Sequence, residues 1–243
     1  MIDFISPELL VKGSREFGVN LSDEAVERFN IFAKFLCEQN EHINLTRIVE
    51  PEKIVTRHFI DSLALCAAVP FYDGMKVCDI GTGAGFPGIP LLIAHPGIHL
   101  TMIDSTNKKL DFVRAALREL ELDANVITVR AEDFGQNEKV REKYDLVTSR
   151  AVAQLSVLVE YSLPLCRMGG KFAPLKAVLS DEERTNGIRA ANFLGSCLLG
   201  DYKFEIPEPD GEVLKREIIL FQKTAHTPAE YPRNGSKIAK RPL

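Results

Sequence analysis

Over roughly the first 70 residues, apolar positions recur every three or four residues, with no strand-like alternation. Val26, Phe29, Phe32, Ala33 and Leu36 share one helical face, and Ser22-Asp23-Glu24 supplies the cap. Beyond a loop holding Asn44-Leu45-Thr46, a second helical run begins near Pro51 and carries Ile54, Phe59, Leu63 and Leu65. From about residue 75 the pattern changes. Short β-rich runs at 75–80, 100–104, 126–129, 144–149, 170–175 and 217–222, with a weaker one near 203–206, alternate with helical stretches at 88–94, 107–121, 153–165 and 181–195. The alternation predicts an α/β, Rossmann-like fold. Its mostly parallel seven-stranded sheet would occupy 71–243, with an N-terminal helical cap over 1–70.

The run from Val77 to Pro90 reads as a buried strand ending in a glycine-rich turn that opens a helix. Gly81, Gly83 and Gly85, at alternate positions, let the backbone turn sharply and approach a ligand, and the helix beyond offers free N–H groups. The next apolar run ends in Asp104, 23 residues after Gly81, where such folds place an acid for ribose hydroxyls. The glycines fit two cofactors. Gly83-x-Gly85-x-x-Gly88 matches a dinucleotide fingerprint, whereas Gly81-x-Gly83-x-Gly85 matches the loop of S-adenosylmethionine-dependent methyltransferases. Asp79 separates them, since a carboxylate two residues before the first glycine repels a pyrophosphate and attracts an ammonium and a sulfonium. S-adenosylmethionine is favoured over NAD and a hydride-transfer reaction. Ligands of open sheets sit outside the carboxyl ends of the strands. There Ala131-Glu132-Asp133 follows the third strand, suited to an adenine edge, and Arg150 ends the fourth.

With 243 residues, 45% hydrophobic and 26% charged, the chain has the make-up of an ordinary globular protein with room for one sizeable core. No apolar stretch approaches the roughly 20 residues of a membrane span, and Met1-Ile2-Asp3-Phe4 lacks the features of a signal peptide. Cys37, Cys66, Cys78, Cys166 and Cys197 lack metal-ligand or disulfide spacing, so no metal is expected and a reducing cytoplasm is the simplest location. A net charge of −4 argues against indiscriminate nucleic-acid binding. A local patch is still available: Lys223, Arg233, Lys237, Lys240 and Arg241 face a single acid, Glu230, near the C-terminus, as an RNA contact or a solvated tail.

The reaction is narrowed by what is missing. Exocyclic base amines are usually methylated beside an Asn/Asp-Pro-Pro-aromatic segment after strand four, where this chain has Thr148-Ser149-Arg150-Ala151. Cytosine carbon needs a thiolate nucleophile, and Cys166 falls late in a predicted helix as a packing residue. An acceptor that is already nucleophilic fits better. Guanine N7 carries an exposed in-plane lone pair and loses no proton on methylation, so alignment and water exclusion would suffice.

On these residues the chain resembles the RsmG (GidB) family, class I methyltransferases acting on guanine N7 in 16S ribosomal RNA. The likeness runs from about Asn44 to the C-terminus. It rests on Asn44-Leu45-Thr46, Arg57-His58-Phe59-Ile60-Asp61-Ser62-Leu63, Asp79 to Pro90, Asp104 to Lys109, Ala131-Glu132, Ser149-Arg150-Ala151 and Tyr231-Pro232-Arg233. The resemblance implies that Gly81, Phe86, Ala131, Glu132 and Arg150 contact S-adenosylmethionine, to which the residues themselves add Asp79, Gly83, Gly85 and Asp104. It makes 16S RNA or the small subunit the partner, with Arg57, His58, Lys176, Arg233, Lys240 and Arg241 as candidate RNA contacts. Arg57 and His58 could equally pack the cap against the cofactor loop. Another RNA methyltransferase, or an assembly module with a vestigial pocket, are the alternatives. Two departures stand out: Ala177 where the family often has glycine, and Ser236-Lys237-Ile238 in place of Gly-x-Pro.

Overall fold

The computed structural model describes residues 3–150 and 153–243; Ala151, the last residue of the Ser149-Arg150-Ala151 motif, lies outside them. Ser6 caps α1 (Pro7–Arg15) through Leu9 N–H, and Ser22 caps α2 (Asp23–Ile43) through Ala25 N–H. Asn44, in the left-handed region at φ 54°, ends α2. The second helical run is subdivided. It comprises α3 (Pro51–Ile54), a π-helical segment (Val55–Ile60), α4 (Asp61–Leu63) and α5 (Leu65–Ala68). One-turn π-helical insertions concentrate at functional sites.

The remaining elements are β1 (Lys76–Ile80), α6 (Gly88–Ala94), β2 (His99–Asp104), α7 (Asn107–Glu119), β3 (Asn125–Thr128), α8 (Ala131–Gln136), β4 (Tyr144–Arg150), α9 (Leu155–Ser162), β5 (Cys166–Ala177), α10 (Asp181–Phe193), β6 (Ser196–Pro207), β7 (Val213–Lys223) and α11 (Gly235–Lys240). The seven strands form one sheet in the order β3-β2-β1-β4-β5-β7-β6, parallel except that β7 runs antiparallel to β5 and β6. The expected Rossmann-like α/β sheet is observed. Its order reverses between β1 and β4, so the carboxyl ends of those strands open on a crevice.

Three details differ from the sequence reading. Cys166 is the first residue of β5 rather than the end of a helix, because the polypeptide turns back after Ser162. The weak run near 203–206 is the C-terminal part of the 12-residue β6, whose outward Leu199 and Tyr202 conceal the alternation upstream. The C-terminal segment is no loose tail. Arg141 donates to the carbonyls of Thr227, Pro228 and Tyr231, and Ile238 of α11 is buried. Ala177 lies in regular strand opposite Arg216, so this position needs no glycine-only conformation.

Aromatic packing joins the N-terminal helices to the sheet. Phe32 of α2 has its ring centroid 5.8 Å from Phe59 in the π segment, 5.4 Å from Phe86 and 6.5 Å from Phe112 in α7. The opposite face of the sheet is covered by α9 and α10 through Leu155, Leu158, Ala190 and Leu194.

Candidate functional site

The glycine loop is shaped by sterics. Gly81, Gly83 and Gly85 have φ of 68°, 58° and 89°, and a Cβ on Gly85 would stand 2.4 Å from Ile89 Cδ1. Asp79 lies behind this loop and is fully buried. Its Oδ2 accepts from Thr82 Oγ1 at 2.6 Å and from Gly88 N–H at 3.0 Å. The carboxylate thus caps α6 from inside, occupying the helix end that a pyrophosphate would need. Oδ1 has no hydrogen-bond partner among the described residues. Burial raises the Asp79 carboxyl to about 6, against the opposing pull of its hydrogen bonds and of Arg150.

In front of the loop lies a cleft of about 360 Å³, lined by Gly81, Asp104, Ala131, Glu132 and Arg150, with Lys109, Arg130 and Tyr161 added. Asp104 accepts from Gly83 N–H at 3.2 Å and Thr106 N–H at 2.8 Å, so it braces the loop while keeping carboxylate lone pairs for a ligand. Phe86 is turned away. Its ring is 5% exposed and packs among Phe32, Phe59 and His58, leaving only its backbone for a ligand on the loop side.

Arg150 also lines a second cleft, of about 600 Å³, over the ends of β4 and β5. Its NH1 donates to the carbonyl of Arg57 at 3.0 Å, that of His58 at 3.4 Å and Asp61 Oδ2 at 3.1 Å; NH2 donates to His58 Nδ1 at 3.2 Å. The guanidinium carbon also sits 4.8 Å from the Phe86 ring centroid. Since His58 Nδ1 accepts, Nε2 carries the proton and donates to Thr46 Oγ1 at 3.0 Å. Burial first, then the charge of Arg150, pushes His58 down to about 3, which leaves the ring neutral. The motif from Arg57 to Asp61 is therefore a cradle for Arg150, and His58 stacks on Phe86 at 4.5 Å.

The other expected RNA contacts are distributed unevenly. Arg57 reaches the second cleft, but its Nε donates to Glu208 at 2.7 Å and its NH2 to Glu212 at 2.9 Å. Lys176 lies in that cleft, 2.9 Å from Glu183. Arg233 is held by Glu160, whose side chain is fully buried, through Nε at 2.8 Å and NH2 at 2.6 Å. Lys240 and Arg241 are exposed and make no ion pair among the described residues. The sequence reading missed Asp61 as a site residue although it lies inside the quoted motif; it takes Arg150 on one oxygen and Arg216 on the other, at 3.1 Å each. Arg216 and Glu183 carried no local signal, because β7 and α10 bring them in from afar.

The family described as GidB, rRNA small subunit methyltransferase G, matches residues 25–199. A ribosomal RNA small subunit methyltransferase G from Ligilactobacillus salivarius is 41% identical over 243 residues, covering 98% of this chain and 100% of the relative. One of the same description from Desulfitobacterium hafniense is 43% identical over 238 residues, covering 97% of each. Among solved structures, a protein from Pyrococcus horikoshii provisionally described as an RNA methyltransferase superposes with a TM-score of 0.55 at 14% identity, over 79% of this chain and 99% of that one. A precorrin-6Y C5,15-methyltransferase from Geobacter metallireducens gives 0.52 at 12% identity, over 77% and 96%. At such identities the superpositions establish the fold alone, that of class I methyltransferases.

Proposed function

Because the chain belongs to the GidB family of small-subunit rRNA methyltransferases, we propose that it methylates N7 of one guanine in 16S ribosomal RNA, using S-adenosylmethionine. The observation that carries this reading is the sharing of Arg150 by two clefts, one suited to the cofactor and one to a base. The cofactor cleft fits a cation. The orphaned Asp79 oxygen behind the loop and the Asp79 cap on α6 favour an ammonium and sulfonium and oppose a phosphate. Asp104 would take the ribose hydroxyls, Ala131 and Glu132 the adenine edge, and the backbone of Gly81, Gly83, Gly85 and Phe86 the methionine portion. When bound, S-adenosylmethionine supplies an electrophilic methyl group on its sulfonium.

The groups that hold Arg150 offer no available proton acceptor. His58 has both ring nitrogens engaged, and Asp61 is shared between two arginines. Guanine N7 sheds no proton on methylation and calls on no such acceptor. The residues therefore act by alignment and by keeping water out. His58 and the Arg57 backbone serve as positioning groups for Arg150. Lys240 and Arg241 meet RNA phosphates, and Lys176 meets the base. The helical cap over 1–70 and the unit over 71–243 act together in the cytoplasm on 16S RNA or the small subunit.

The test is transfer of labelled methyl from S-adenosylmethionine to naked 16S RNA and to small subunits. The product is then mapped by the strand scission that N7-methylguanine undergoes after reduction and aniline treatment. Label without scission would overturn the N7 assignment. No label on either substrate would overturn the enzyme reading in favour of an RNA-binding module.

A further inference from the structure

We propose that Lys176 and Glu183 read the Watson–Crick edge of the target guanine, an inference that rests on the guanine-N7 reading. The cofactor cleft lies over β1, β2 and β3, and β4 with Arg150 comes next in the sheet. β5 is one strand further, about 4.8 Å beyond β4. A guanine whose N7 faces the cofactor side therefore sends its six-membered ring across β4 toward the end of β5. Lys176 stands there, and Glu183 comes in from the first turn of α10.

The hydrogen bonds of this pair are lopsided. Leu155 N–H and Lys176 Nζ both lie 2.9 Å from Glu183 Oε1, while Oε2 accepts nothing among the described residues. Lys176 Nζ spends a second proton on the Ala153 carbonyl at 2.7 Å, leaving a third. The pair thus presents a donor beside an anionic acceptor. Guanine offers the complement, O6 as acceptor beside the N1 and N2 donors, and adenine offers the reverse. The other lining carboxylate near Arg150, Asp61, is consumed by its two arginines. Ile48, Leu175 and Val178 line the same cleft and supply apolar contact for the base faces.

Glu183 could instead be a structural tie between α9 and β5, and the experiment separates the two roles. Small-subunit RNA is assembled by ligation with either guanine or inosine at the mapped position; inosine lacks only the N2 amine. In the wild-type protein inosine should lower kcat/KM about tenfold or more. Glu183→Gln can still accept from Leu155 N–H but turns an amide donor toward the base. It should lose about 10- to 100-fold on guanine RNA, mainly in KM, and the inosine penalty should shrink to within about twofold. Unchanged S-adenosylmethionine affinity would show that the variant is folded; should it misfold, the wild-type inosine comparison decides alone. Equal inosine penalties in both proteins, or no penalty in the wild type, would overturn the proposal while leaving N7 methylation intact. A wild-type protein that transfers no methyl to guanine RNA would overturn both.

Discussion

Arg150→Lys keeps the charge and removes the fork. The guanidinium bonds the carbonyls of Arg57 and His58, the Asp61 carboxylate and the His58 ring with two nitrogens, and lies over Phe86. A single ammonium cannot span from Asp61 to His58 Nδ1 while keeping the carbonyls, so about two bonds are lost, each worth about 1–1.5 kcal/mol. The expected cost is about 2–3 kcal/mol of stability, a fall in Tm of about 4–12 °C for a chain of this length. Activity should suffer more than stability. With His58 unpinned and Phe86 uncovered on one side, the wall between the clefts shifts, and methyl transfer in single turnover should fall about 100-fold. The wild-type rate, at saturating cofactor, should be flat from about pH 6.5 to 8.5, because no base titrates. A variant within threefold of wild type would refute the alignment argument, and a wild-type rate rising tenfold per pH unit would reveal an essential base and overturn the N7 mechanism.

Other outcomes follow from the same geometry. The Asp79 carboxyl titrates near 6 in the free protein; a bound cation lowers that value, so binding releases a proton and S-adenosylmethionine affinity should fall as pH drops below 6. The loss should reach up to about tenfold between pH 7 and 5 by calorimetry, and an equal pH dependence in Asp79→Asn would exclude this group. Asp104→Ala should weaken cofactor binding tenfold or more, since the loop brace at Gly83 disappears along with the acceptor; unchanged affinity would remove Asp104 from the site. Arg233→Ala strands the buried Glu160 and should cost about 3–5 kcal/mol in chemical denaturation. Lys240→Ala with Arg241→Ala should leave stability unchanged and make the salt dependence of RNA binding shallower by about two units, a slope identical to that of the wild type showing that the segment does not meet phosphate.

How legible the site was depended on whether its parts lay on one stretch of chain. The glycine loop and Asp104 were readable because a strand, a tight turn and an acid at fixed spacing are local features. The sheet followed from the alternation of short apolar runs, and its boundaries were lost where exposed residues interrupted the period, as at Leu199 and Tyr202, and where the polypeptide turned back early, as before Cys166. Direction was harder to read than position. Nothing local tells that Phe86 faces Phe32 and His58 rather than the cleft, or that Arg233 folds back onto Glu160. These follow from packing between elements far apart in sequence. Asp61 was visible as part of a motif, yet its two arginines come from β4 and β7.

The cap is part of the site. The Phe86 ring has the His58 ring stacked at 4.5 Å and the Arg150 guanidinium 4.8 Å from its centroid. One ring of the glycine loop therefore touches the π-helical segment and the residue that lines both clefts. Were residues 51–63 an uninterrupted α-helix, the angular positions of Arg57, His58 and Asp61 would be redistributed around it, since each residue of an α-helix turns by about 100°. The π-helical segment sets the His58 ring, two carbonyls and the Asp61 carboxylate toward a single guanidinium. Arg150 and Arg216 are mostly buried cations on the sheet, and their shared counter-charge, Asp61, belongs to the helices. Without that carboxylate Arg150 at the end of β4 and Arg216 on β7 would lose their shared counter-charge, so the walls of the second cleft take their shape only with the N-terminal helices seated on the sheet.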